Sequence, residues 1–145
     1  MEDATLLVPL GFLIIAAACD LRSRQIPDVL SILVIVWALV AFGAGWQPVP
    51  FWSLLAGLAI ALAVGLTLFS LGAFGGGDVK MLAALGFALG LERLVPTLFW
   101  IAVAGGVVAM VYLCRKQREV PYLPALALGL LLFILIGEPF HALGL

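Results

Sequence analysis

Apolar residues run along this chain in long unbroken stretches, separated by short breaks rich in glycine, proline or charge. Six stretches stand out, over residues 6–19, 29–45, 51–71, 79–90, 97–114 and 122–137. None shows the apolar–polar alternation over about ten positions that marks a membrane β-strand. Runs such as Leu54-Leu55-Ala56-Gly57-Leu58-Ala59-Ile60-Ala61 are apolar on every face and predict helices. The connections are short, with no low-complexity tail or soluble insert. The expectation is one domain over residues 1–145, an all-α membrane protein built as a bundle of about six transmembrane helices.

Composition points the same way. Of the 145 residues, 66% are hydrophobic and only 10% charged, too few polar groups to clothe a water-soluble domain of this size. The lipid bilayer is therefore the expected solvent. A net charge of −1 without a basic patch gives no reason to expect a nucleic-acid partner. Cys19 and Cys114 make neither a CxxC pair nor zinc spacing, and both read as buried, inert thiols. Ala16-Ala17-Ala18-Cys19 is faintly like a lipobox, but the acidic start at Glu2 and Asp3 argues against a secretory signal.

Basic residues orient the bundle. With the N-terminus outside, Arg22, Arg24, Lys80, Arg115, Lys116 and Arg118 all fall in cytoplasmic connections, leaving only Arg93 outside. That asymmetry places both termini outside. Trp46, Trp52 and Trp100 then lie at the outer interface, where lipid anchoring accounts for them. Gly86 and Gly90 form a GxxxG that could bring the fourth helix close to a neighbour, within the chain or in a second copy.

Against this background two acids are out of place, because ionisable groups within spans are costly and usually functional. Asp20 ends the first span and Asp78 opens the fourth, directly after Gly75-Gly76-Gly77. Helical rise puts Asp20 roughly 22 Å from Thr5 and Asp78 roughly 21 Å from Glu92, which places both carboxylates at one depth near the cytoplasmic boundary. Neighbouring carboxylates resist ionising together, so such a pair holds one proton between them. The ionised member can take a proton from water while the neutral one donates to a scissile carbonyl. The glycine run would permit backbone angles closed to other residues and leave room for an extended substrate backbone. Plainer roles stay open. Asp20 could pair with Arg22 or Arg24, and Asp78 could cap the fourth helix. Asp28 reads as a helix start, and Lys80 as a snorkelling cation or a group tuning Asp78. The same two acids could also serve as a relay in a small proton-coupled transporter or channel. His141, the only histidine, lies far from both acids, so no metal site and no hydrolase triad is expected, nor any cofactor; the glycines lack the GK[ST] ending of a phosphate loop.

The motif context tips the balance. Gly72-Ala73-Phe74-Gly75-Gly76-Gly77-Asp78 resembles the G-x-hydrophobic-G-x-G-D pattern of the GxGD membrane aspartyl proteases, and Asp78-Val79-Lys80-Met81-Leu82 resembles the continuation found in type IV prepilin peptidases. Residues 20–28, DLRSRQIPD, resemble that family's first-aspartate segment, and Val120-Pro121-Tyr122-Leu123-Pro124-Ala125 its C-terminal signature. The resemblance implies catalytic Asp20 and Asp78, flanked by Gly75 and Gly77; Gly76 and Lys80 are expected to help shape the site. It implies a prepilin as protein substrate, its leader cut after a glycine at the cytoplasmic face of the bacterial inner membrane. Long family members carry an N-terminal region with CxxC pairs associated with methylating the new pilin terminus. This sequence has no such pairs and is similar to the short Flp/Tad-type form, so leader cleavage without methylation is expected.

Overall fold

The computed structural model describes residues 4–23, 27–115 and 122–137. Arg24, Lys116, Arg118, Val120, Pro121, Glu2, Asp3 and His141, all used in the expectations above, lie outside the described residues. The described residues form five helices: α1 (Ala4–Ser23), α2 (Asp28–Gly43), α3 (Phe51–Ser70), α4 (Gly76–Cys114) and α5 (Leu123–Ile136). Three of them, α1, α3 and α4, are long and apolar enough to cross a membrane, and α2 and α5 are shorter apolar helices. Every element among the described residues is a helix, and their length and apolar character are those of an integral membrane protein.

α1 and α2 form an antiparallel pair. Pro9, inside α1, has no N–H to offer the Thr5 carbonyl four residues earlier. That carbonyl instead accepts the indole N–H of Trp37 from α2 at 3.1 Å, so the gap in one helix becomes a tie to the next. α2 and α3 end alike, each in a Schellman turn with a left-handed glycine. Gly45 (φ 73°) closes α2, with Trp46 N–H reaching the Ala41 carbonyl. Gly72 (φ 74°) closes α3, with Ala73 N–H reaching the Leu68 carbonyl.

α4 departs from the sequence expectation. A connection was expected over residues 91–96, between the fourth and fifth stretches, but those residues are helical and α4 runs through 39 residues. A straight helix of that length would measure roughly 58 Å, nearly twice the hydrocarbon core. It is not straight. Gly90 has φ 69° and ψ 174°, far from helical values. Leu82 before the break and Leu98 and Ile101 after it line one cavity of about 490 Å³. Along an unbroken helix Leu82 and Leu98 would sit roughly 24 Å apart, so the chain folds back at Gly90. The polar groups freed there are satisfied from α3 and the turn before it. Gln47 Nε2 donates to the Ala88 carbonyl at 3.1 Å, and Leu91 N–H donates to Ser53 Oγ at 3.0 Å.

The first half of α4, before Gly90, is the axis of the bundle. Val79 and every residue from Met81 to Gly90 are buried, leaving only Lys80 exposed in that stretch. A helix apolar on all faces must be covered on all faces. α3 covers it most closely: a Cβ on Gly86 would collide with Ala61 Cβ and the Gly57 carbonyl. The Gly86–Gly90 pair thus serves packing within the chain. α5 runs antiparallel to the second half of α4, with Gly129 against Ile101 and Ala125 near Gly105. Trp100, expected as a lipid anchor, instead donates its indole N–H to the Gly137 carbonyl at 3.2 Å.

Candidate active site

Asp78 stands at the start of the buried first half of α4, and the turn that delivers it explains the glycine motif. Gly72 supplies the left-handed residue that ends α3, and Ala73 and Phe74 follow. Gly75 is extended (φ −84°, ψ 165°) and serves as the residue before the helix. Its N–H donates to Asp78 Oδ2 at 2.8 Å, an acid in the first turn reaching back to an otherwise orphaned donor. The expectation that Gly75, Gly76 and Gly77 adopt angles closed to other residues does not hold: none of the three has positive φ, and only Gly72 in the motif does. What the run offers is space. A Cβ at Gly76 would meet nothing within 4 Å, and one at Gly75 would meet Asp78 Oδ2 at 3.4 Å.

Capping occupies only half of the Asp78 carboxylate. The residue is 8% exposed, the only charged side chain buried among the described residues, and its Oδ1 has no hydrogen-bond partner. An oxygen in that position normally costs about 1–3 kcal/mol. Asp20, half-buried in the last turn of α1, is near enough for its charge to act on Asp78. The structure thus brings together the two acids that the sequence singled out from opposite ends of different helices.

Lys80 goes elsewhere. Its Nζ donates to both carboxylate oxygens of Asp28, each at 2.9 Å, and neither side chain is buried. Residues two apart on a helix do not face the same way, so Lys80 is turned toward α2 rather than toward the Asp78 side. Asp28 is the first residue of α2, as its proline-preceded position suggested, but its ionic partner was not foreseen.

The cavity of about 490 Å³ takes Ala73 and Phe74 of the motif turn into its lining but not Asp78. Phe74 and Tyr122, whose ring centroids are 5.1 Å apart, line it together with Val64, Leu68, Leu82 and Leu126. Tyr122 is the residue of the Pro-Tyr-x-Pro signature that the structure brings to the motif, placing the start of α5 beside Phe74. Cys19 and Cys114 are both free thiols; Cys114 is exposed, against the expectation of burial, and Cys19 is half-buried. Among the described residues no cluster of His, Cys, Asp and Glu could hold a metal ion.

Residues 7–110 match the model of the type IV leader peptidase family. The chain is 31% identical over 138 residues to a prepilin leader peptidase/N-methyltransferase of Bacillus subtilis (strain 168), covering 89% of this chain and 54% of the relative. It is 32% identical over 145 residues to proteins of the same name from Burkholderia pseudomallei strains 1026b and K96243, covering 90% of this chain and 46% of each relative. The chain spans about half the length of these relatives. No solved structure matches it significantly. The matched span contains both acids and the glycine turn between α3 and α4, and on that match the chain belongs to the type IV leader peptidase family.

Proposed function

We propose that this protein is an aspartic endopeptidase that removes leader peptides from prepilins. The observation that carries the proposal is the buried Asp78 at the head of the central helix, with one carboxylate oxygen unpartnered and Asp20 within electrostatic reach. In this mechanism the ionised aspartate takes a proton from water, and the resulting hydroxide attacks the scissile carbonyl while the protonated aspartate donates to its oxygen. Collapse of the tetrahedral intermediate passes a proton to the departing amine, and the pair returns to its one-proton state. No covalent enzyme intermediate forms.

The fold supports a six-crossing arrangement in the bacterial inner membrane. The two halves of α4, folded back at Gly90, count as two passes, and both termini then lie outside with Asp20 and Asp78 near the cytoplasmic face. Gly76 leaves open space at the head of α4 in which an extended substrate backbone can lie, its apolar segment remaining in the bilayer. Gly75 orients Asp78 through its N–H, so its part is to fix one oxygen and leave the other for chemistry.

Co-expression with a prepilin in cells lacking their own leader peptidase tests the proposal. The wild-type chain yields a shortened pilin on a gel, and Asp20→Asn and Asp78→Asn each abolish the shift at unchanged membrane abundance. Full processing by either variant rejects the two-aspartate mechanism.

A further inference from the structure

The Asp28–Lys80 ion pair occupies a particular place in the chain. Asp28 lies eight residues beyond Asp20, and Lys80 lies two residues beyond Asp78. The pair therefore closes a short loop: from Asp20 at the end of α1, along the connection to α2, across the ion pair to α4, and back to Asp78. Both Asp28 oxygens engage the one ammonium, which fixes the first turn of α2 against the first turn of α4.

We infer that Asp28 and Lys80 are positioning residues that hold the end of α1 and the head of α4 in register, so that Asp20 and Asp78 stand at working separation. The inference rests on the peptidase proposal above. Lys80 acts here through geometry, since its charge is committed to Asp28. With side chains 58% and 64% exposed, the pair contributes little to folding. A small misplacement of catalytic groups, by contrast, can cost up to about 10²-fold in rate. Loss of the pair therefore shows in turnover and not in stability.

The test uses the full chain in detergent or liposomes with a purified prepilin. Lys80→Met and Asp28→Asn each lower kcat by about tenfold, within the range that misplacement allows, with KM and Tm unchanged. Lys80→Arg keeps kcat near wild type, and the charge-reversed pair Asp28→Lys with Lys80→Asp recovers most of what either single change loses. Wild-type kcat in both neutral variants overturns the inference, as does a reversed pair no better than the singles. Should a single variant melt early, the reversed pair at wild-type Tm decides by the same kcat criterion. If the wild type cleaves nothing, or Asp20→Asn and Asp78→Asn still cleave, the peptidase proposal itself fails and this inference with it.

Discussion

Gly90→Ala probes the fold-back on which the architecture of α4 depends. At φ 69° and ψ 174° the backbone lies in a region open essentially to glycine alone, and holding another residue there costs of order 1–3 kcal/mol. The new Cβ would also stand 3.1 Å from Ser53 Oγ, tighter than most contacts of its kind. That hydroxyl accepts the Leu91 N–H, and if it is pushed aside the donor loses its partner, at about 1–3 kcal/mol more. The two effects together come to about 2–6 kcal/mol. For a chain of this size about 1 kcal/mol shifts Tm by roughly 2–4 °C, so a fall of at least about 4 °C is expected. Tryptophan fluorescence during thermal unfolding in detergent micelles measures it, with Gly76→Ala as the control. Gly76 is helical and opens onto free space, so its alanine variant melts with the wild type or slightly above it. A Gly90→Ala protein that melts with wild type would show that the chain does not need this conformation, and the argument for the fold-back would fall.

Two further substitutions separate packing from chemistry. Gly86→Ala drives a methyl into Ala61 and the Gly57 carbonyl, and overpacking of this kind costs about 1–3 kcal/mol, so Tm and processing should fall together; a wild-type melt would mean that α3 and α4 are not in close contact. Gly76→Val should leave Tm unchanged but raise KM for a prepilin substrate, because the space it fills is the space assigned to the substrate backbone; an unchanged KM would reduce the glycine to a turn residue.

The sequence was most informative where a single physical rule dominates. Continuous apolar runs located α1, α2, α3 and α5 to within a few residues, because in lipid the backbone must be satisfied by helices or a closed barrel and the runs lack the alternation of barrel strands. The two acids stood out because charge within an apolar run is expensive; Asp78 is buried, and Asp20 lies within range of its charge. Failures came where several weak preferences compete. Residues 91–96, with Glu92, Arg93 and Pro96, read as a loop by polarity, yet the reversal needs one residue, Gly90, with Gln47 and Ser53 supplying the missing partners. A lone serine and glutamine beside an apolar stretch could have flagged that need. The glycine run permits unusual angles but does not use them; the preceding Gly72 does, because a Schellman turn asks for one left-handed residue just past a helix end. Lys80 could not be assigned a partner from sequence, since Asp28 is 52 positions away and only the packing of α2 on α4 joins them.

Enclosure of the first half of α4 on every side bears on how freely its positions can vary. The outer surfaces of α2 and α3 carry Val29, Ile32, Val36, Leu62 and Leu66 exposed, where one apolar residue can replace another at little cost. Met81, Leu85 and Leu89 have no such latitude, because each is hemmed in by protein and a change in volume must be absorbed by a neighbour. Attempts to alter this protein by mutagenesis should begin from the exposed apolar faces of α2 and α3 and leave the central helix intact.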